Sequence, residues 1–126
     1  LAQVKAPRMD EPLPAGVRME IEKREDRVII RPHGKLTEVE SHELGGEMAA
    51  RIESGAKLLV LDLSDVPFLS SSCLGAFMRA HKLGRDKGAG LRLAALQPLV
   101  REILVTTKLT KLFPLYETVQ EALSAP

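Results

Sequence analysis

Three consecutive hydroxyl side chains, Ser70, Ser71 and Ser72, stand between an apolar run and the start of an amphipathic pattern. One serine is enough to cap a helix, because its oxygen accepts one of the N–H groups that the first turn leaves unpaired. The other two would expose hydroxyls at the carboxyl end of a strand, where open α/β sheets engage ligands and partners. Such a hydroxyl has two chemical uses: it acts as a nucleophile, or it accepts a phosphoryl group.

A nucleophilic serine needs a base within hydrogen-bond reach. The three histidines, His33, His42 and His81, make no recognisable pair with Ser71 in the sequence, and the G-x-S-x-G elbow is absent. We therefore expect no catalytic residues and keep a serine hydrolase or transferase only as a control hypothesis. Neither H-x-x-x-H nor C-x-x-C spacing occurs, so we expect no metal site and no cofactor.

A phosphoryl group fits the physics of a helix start, because backbone N–H groups and the helix dipole favour negative charge there. It would add about two negative charges to a nearly neutral surface and repel an apolar or acidic partner. The residues alone leave open whether the serines form this switch or only cap the helix. Cys73, the next residue, is expected to pack as a small side chain; the alternative is a reactive thiol whose pKa is lowered by the positive end of the helix.

The bulk composition narrows the class of protein. The 126 residues are 44% hydrophobic and 28% charged, which is typical of one globular domain. The 18 basic residues are interspersed with 17 acidic ones, so we expect no direct binding of nucleic acid. A single cysteine forms no intramolecular disulfide, and every apolar run is far shorter than the roughly 20 residues that span a bilayer. We therefore expect a cytoplasmic protein without membrane insertion.

The first residues differ in pattern from the rest of the chain. Residues 1–16 contain three prolines and no periodic apolar positions, which predicts a flexible leader and a domain over residues 17–126. From Val17 onward, apolar and polar positions alternate with period two. The run Val28-Ile29-Ile30 follows turn residues at Glu25-Asp26, so the domain is predicted to open with a β-hairpin.

Helices and strands alternate after the hairpin. Thr37 stands at the N-cap of a first helix that Ser54-Gly55 closes, and Gly45-Gly46 weakens this helix unless it allows a close approach. The remaining predicted elements are a buried strand at 57–63, a helix from the serines to Gly84, a strand at 91–96, a helix from Pro98, a brief edge strand at 111–113 and a helix at 117–123. The order β-β-α-β-α-β-α-(β)-α predicts an α/β fold with a mixed β-sheet flanked by helices.

The stretch from Leu58 to Gly75, LLVLDLSDVPFLSSSCLG, resembles the STAS domains of bacterial anti-sigma factor antagonists, also called anti-anti-sigma factors. In that family a buried V-L-D-L/N strand and a loop precede D-S-S/T-G-L-G at the start of a helix. The resemblance runs from about Val17 to the end of the chain, through HGKLT, GAGLRLAAL, the Pro98 helix and LFPLYETVQEAL. It implies a mixed sheet with helices on one side.

The resemblance also implies a regulatory role. In that family an anti-sigma factor that is a serine kinase phosphorylates the antagonist; the unphosphorylated antagonist binds this kinase and frees the sigma factor, and a PP2C-type phosphatase restores it. Alignment on Leu74-Gly75 places the acceptor at Ser71, with Ser70 and Ser72 as alternative acceptors. The implied partner-binding residues are Ser70, Ser71, Ser72, Cys73 and Leu74.

Two residues depart from the family motif. Ser70 replaces the usual acidic residue and removes a negative charge beside the acceptor hydroxyl. Cys73 replaces the usual glycine and adds a side chain where a kinase approaches the backbone closely. These departures keep a second hypothesis open: a STAS interaction module without phosphorylation, as in a lipid-transport ABC system or a stressosome-type scaffold.

Overall fold

Five strands form one mixed sheet in the order β1-β2-β3-β4-β5 in the computed structural model, which describes residues 18–126. The strands are β1 (Arg18–Arg24), β2 (Arg27–His33), β3 (Leu58–Asp62), β4 (Gly90–Ala94) and β5 (Leu115–Tyr116). β1 and β2 pair antiparallel as the predicted hairpin requires, and every later strand is parallel to the strand before it. The predicted leader at residues 1–16, together with Val17, lies outside the described residues.

The helices occupy the connections that the sequence pattern predicts. They are α1 (Glu38–Glu53), α2 (Ser71–Lys87), α3 (Pro98–Thr106) and α4 (Val119–Ser124), with a short 3₁₀-helix at Leu109–Lys111 between α3 and β5. Thr37 is the N-cap of α1, and Glu40 returns a hydrogen bond to the Thr37 backbone in a capping box. The predicted α/β order and the mixed sheet are therefore confirmed.

Two helix boundaries differ from the prediction. α2 does not stop at Gly84 but continues to Lys87, and Gly88 ends it with a φ of 77°. Gly84 lies inside the helix because the returning chain crosses there: a Cβ on Gly84 would lie 2.6 Å from the carbonyl oxygen of Ala89. α4 begins at Val119 rather than at 117, because the Thr118 side chain accepts a hydrogen bond from the Glu121 N–H at 3.0 Å.

The predicted edge strand at 111–113 is wrong. Residues 109–111 form the 3₁₀-helix, and β5 starts only after Pro114. Phe113 is buried and packs edge-to-face against Phe77 of α2, with ring centroids 6.1 Å apart. Its aromatic side chain therefore fills the core, and residue 113 does not join the edge of the sheet. Pairing with β4 begins one residue later, where the Leu93 N–H donates to the Pro114 carbonyl.

The two faces of the sheet bury cores of different size. Side chains of β2, β3 and β4 alternate between the faces, as they must in a strand. The larger core lies on the face covered by α1, α2 and α3 and includes Val28, Ile30, Leu59, Leu61, Leu91, Leu93, Leu44, Met48, Phe77, Val100 and Leu104. The smaller core contains Ile29, Val60, Ala94, Ala122 and Leu123 and belongs to α4. Helices therefore cover both faces, in contrast to the one-sided arrangement that the resemblance implied.

The two longest helices approach each other closely at a glycine. A Cβ on Gly45 of α1 would lie 3.4 Å from the Cβ of Ala76 in α2. This contact accounts for a residue of low helix propensity in the middle of α1, as the sequence predicted. Because both helices follow parallel strands, both begin at the same end of the sheet, where the serine cluster lies.

Two glycine substitutions test this packing. We expect Gly84→Ala to lower the free energy of unfolding by about 1–3 kcal/mol, because the new methyl group would overlap the Ala89 carbonyl oxygen. Gly46→Ala is the matched control: Gly46 is exposed in α1, has no atom within 4 Å of the added Cβ, and should gain up to about 1 kcal/mol of helix propensity. Urea unfolding measures both values, and equal stabilisation of the two variants would contradict the crossing at Gly84.

Candidate functional site

The three serines at the start of α2 occupy three different positions. Ser70 is the N-cap, and its side-chain oxygen accepts a hydrogen bond from the Cys73 N–H at 3.3 Å. Ser71 and Ser72 are the first two helical residues, and both are exposed. Neither hydroxyl makes a hydrogen bond with any residue in the described part of the chain. One serine therefore caps the helix, and two hydroxyls stay available for other chemistry.

Backbone hydrogen bonds fix the loop that carries this cluster. Leu36, in the segment between β2 and α1, donates its N–H to the Phe68 carbonyl at 3.0 Å and accepts from the Ser70 N–H at 3.0 Å. One step earlier, the Gly34 N–H donates to the Asp65 carbonyl at 2.9 Å. The β3–α2 loop is thus bonded to the β2–α1 segment at Asp65, Phe68 and Ser70. We infer that the serines are presented on a well-ordered backbone.

Apolar side chains adjoin Ser71. Leu74 and Met78 follow it at i+3 and i+7 and therefore lie on the same side of α2. Leu74 is half-buried, Met78 is 47% exposed, and Phe68 in the preceding loop is 37% exposed. We call Phe68, Ser71, Leu74 and Met78 the serine surface. It combines an accessible hydroxyl with apolar area, which suits contact with another protein.

Ser72 faces a different environment. It lines a groove between α1 and α2 together with Glu38, His42 and Arg79. A guanidinium nitrogen of Arg79 lies over Gly75, 3.3 Å from the position of an added Cβ, so the absence of a side chain at Gly75 makes room for it. The sequence did not predict this groove, because the closeness of two helices depends on their packing rather than on either helix alone.

The histidines do not form a catalytic pair with Ser71. His42 shares the groove with Ser72, a proximity that sequence reasoning missed, but no hydrogen bond joins the two side chains among residues 18–126. His81 packs its ring against Phe113, with centroids 5.5 Å apart, at the predicted boundary of the core. His33 contacts two carboxylates at the end of β2.

Cys73 belongs to the core rather than to the surface. Its side chain is fully buried, and burial raises the pKa of the thiol to about 12, with the Ser41 hydroxyl acting in the opposite direction. The prediction that Cys73 packs as a small side chain is therefore confirmed, and the alternative of a lowered pKa is wrong, because desolvation of the thiolate outweighs the favourable dipole. In this structure Cys73 supports the helix start from beneath and offers no surface to a partner, whereas Ser70, Ser71, Ser72 and Leu74 all retain exposed area.

Comparison with known proteins agrees with the fold. The family model described as the STAS domain matches residues 18–122, so the chain belongs to the STAS domain family. An anti-sigma F factor antagonist from Paenibacillus polymyxa is 28% identical over 109 residues, which cover 86% of this chain and 93% of the relative.

Solved structures share the same architecture. An anti-sigma factor antagonist from Mycobacterium paratuberculosis is 28% identical, with a TM-score of 0.74 over 86% of this chain and 92% of that one. Unphosphorylated SpoIIAA is 19% identical, with a TM-score of 0.74 over 84% and 93% of the two chains. The phosphorylated form of Bacillus SpoIIAA is 18% identical, with a TM-score of 0.67 over 84% of this chain and 96% of that one. None of the helices within residues 18–126 is both long and apolar enough to cross a membrane.

The cap at Ser70 is testable by substitution. Ser70→Ala should lower the free energy of unfolding by about 1 kcal/mol, because the Cys73 N–H loses its side-chain acceptor. Ser70→Asp, which restores the carboxylate usual in the family motif, should retain the cap. Ser72→Ala is the control and should stay within about 0.5 kcal/mol of the parent chain, since its exposed hydroxyl bonds nothing in the described region. An unchanged stability of Ser70→Ala in urea unfolding would contradict the assigned cap.

The burial of Cys73 predicts slow thiol chemistry. At pH 8 we expect the folded protein to react with a disulfide reagent such as Ellman's reagent far more slowly than the same protein in denaturing urea, because a buried thiol with a pKa of about 12 forms almost no thiolate. Absorbance of the released thiolate follows the reaction. Equal rates in the folded and unfolded protein would show that the thiol is accessible.

Proposed function

We propose that this chain is an anti-sigma factor antagonist that binds an anti-sigma factor with serine kinase activity and is released when Ser71 is phosphorylated. The observation that carries the proposal is the exposed hydroxyl of Ser71 at the first position of α2, beside a serine that already caps the helix. Two further facts support it: the relative from Paenibacillus polymyxa is named an anti-sigma F factor antagonist, and SpoIIAA occurs in unphosphorylated and phosphorylated forms.

Ser71 is the favoured acceptor among the three serines. The Ser70 oxygen is engaged as the cap and is partly buried. Ser72 opens into the groove beside Arg79, away from the serine surface. Ser71 alone lies on the side of α2 that also carries Leu74 and Met78. A kinase that docks on this apolar area would therefore meet the Ser71 hydroxyl first.

Phosphorylation would change this surface from neutral to strongly negative. The first turn of α2 contains no acidic residue, so no carboxylate of that turn opposes a phosphate there. The helix dipole and the free N–H groups of the first turn would stabilise the new charge, and the fold should persist. The partner, in contrast, would have to desolvate about two negative charges against an apolar contact. Release of the partner follows from that cost.

The two departures from the family motif leave the local geometry intact. Serine and aspartate are both strong N-cap residues, so Ser70 supplies the same hydrogen bond without the charge. The Cys73 side chain points into the core, so it does not obstruct the approach of a kinase to the backbone. These observations favour the switched antagonist over a STAS module without phosphorylation. In this proposal a PP2C-type phosphatase completes the cycle, and the cycle takes place in the cytoplasm.

Phosphorylation at a single serine tests the proposal. The full chain is incubated with ATP and each candidate anti-sigma kinase of the same organism, and mass spectrometry counts and locates the phosphate. We expect one phosphate on Ser71, none on Ser71→Ala, and normal modification of the control Ser72→Ala. Modification at Ser70 or Ser72 in the parent chain would reject the assigned acceptor. Failure with every cognate kinase would favour the unphosphorylated module.

Binding of the same kinase provides the second readout. Ser71→Asp should raise the dissociation constant at least about tenfold, equivalent to about 1.4 kcal/mol, because a carboxylate on the serine surface mimics part of the phosphate charge. Ser71→Ala should bind as the parent chain does and stay bound in the presence of ATP. Calorimetry measures both. Equal affinities of the two variants would argue against a charge-operated switch.

A further inference from the structure

His33, the last residue of β2, contacts a carboxylate with each of its two ring nitrogens. Nδ1 lies 2.7 Å from Oδ2 of Asp65 in the β3–α2 loop, and Nε2 lies 3.1 Å from Oε1 of Glu20 in β1. The imidazole thus bridges a strand of the hairpin and the loop that leads to the serines. The two carboxylates belong to residues 45 positions apart in the sequence, and this ring contacts both of them.

The geometry has one consistent protonation state. A neutral imidazole carries a single N–H and presents a lone pair at its other nitrogen, whereas imidazolium donates from both nitrogens. An ionised carboxylate only accepts, so a lone pair facing it is repelled. Both contacts of His33 are therefore favourable only when the ring is protonated, and loss of the proton breaks one of them.

We propose that His33 is a proton-dependent clamp that fastens the β3–α2 loop, and with it the serine cluster, to the β1–β2 hairpin. When the ring is neutral, the remaining proton stays on Nδ1, where the shorter contact to Asp65 lies, and Glu20 is released. The loop then keeps its contact with β2 but loses its connection to β1. The clamp concerns the fold of this chain and holds whether or not Ser71 is a kinase substrate.

The charges around His33 determine the pH at which its ring loses the proton. Arg18 is the cross-strand partner of His33 on β1, and the carboxylates of Glu20 and Asp65 favour protonation of the ring. Arg31, two residues earlier on the same side of β2, forms salt bridges with Glu22 and Asp62. The hydrogen bond to Asp65, followed by that to Glu20, raises the pKa of His33 above its ordinary value of 6.5, and partial burial opposes the increase.

The raised pKa of His33 determines how the stability contributed by the clamp changes with pH. A raised pKa in the folded state means that the clamp contributes its full stability below the ordinary pKa of 6.5, and this contribution is lost as the pH rises through the folded pKa. The window therefore begins near pH 6.5 and extends upward. The effect should shrink in concentrated salt, because Glu20 and Asp65 are 67% and 69% exposed.

An NMR titration of the full chain tests the clamp. The ring ¹⁵N and ¹H shifts of His33 are followed from pH 5 to 9 in the parent chain and in Asp65→Asn and Glu20→Gln. We expect the midpoint of His33 to fall in Asp65→Asn and to fall less in Glu20→Gln, because the hydrogen bond to Asp65 is the larger cause of the raised pKa. His42 and His81 serve as internal controls whose midpoints should stay fixed.

Hydrogen exchange provides the structural readout. The amides of Gly34 and Leu36 bond to the loop carbonyls of Asp65 and Phe68. After correction for the intrinsic pH dependence, their protection should fall several-fold as His33 loses its proton and should be constant with pH in His33→Gln. The clamp would be overturned if the titration midpoint of His33 were the same in Asp65→Asn as in the parent chain. It would also be overturned if the protection of the two amides did not change through the titration. No kinase enters either measurement, so failure here is separate from failure of the phosphorylation test.

Discussion

The pairing between the segment after β2 and the loop after β3 determines where the functional residues lie. Leu36 and Leu69 form an isolated parallel bridge, and both side chains are buried in the larger core. The bridge renews the parallel pairing of the two chain segments after β2 and β3 have ended. It places the next residue, Ser70, in the extended conformation that an N-cap requires, so α2 must begin at Ser71. Without this bridge the serines would stand on an unsupported loop.

Once the start of α2 is fixed, helix geometry assigns the neighbouring residues to different environments. Each residue of an α-helix is rotated by about 100° from the one before it. Consequently Ser71 reaches the serine surface, Ser72 turns toward the groove with α1, and Cys73 enters the core. This division explains why three adjacent serines are not equivalent as acceptors. It also explains why a cysteine is tolerated in a motif whose usual residue is glycine.

The sequence predicts well those features that depend on local pattern. The hairpin, the order of the elements, the Thr37 cap and the reason for Gly45 all follow from periodicity and helix propensity. The features it misses depend on contacts between distant segments. The sequence predicts a helix stop at Gly84 because it does not show that the chain crosses there at Ala89. It predicts a strand at Phe113 because it does not show that this side chain packs against Phe77 in the core.

The same distinction applies to the site. The identity of the helix start and the presence of spare hydroxyls could be read from the serine run, because one cap needs only one side chain. The pKa of Cys73 could not, since its direction depends on complete burial rather than on position in the helix. The contacts of His33 with Glu20 and Asp65 could not be predicted from the sequence either, because no local pattern relates a residue of β1 to the loop after β3.

Two kinds of attachment therefore hold the serine cluster, and they respond differently to conditions. The backbone bonds through Gly34 and Leu36 involve groups that do not titrate, so they form in both protonation states of His33 and open more often when the ring is neutral. The His33 contacts are charged, largely exposed and dependent on one proton. Loss of that proton should leave α2 in place and change only how firmly its leading loop is held against the hairpin. A partner that binds the serine surface would then encounter the same residues on a more mobile support.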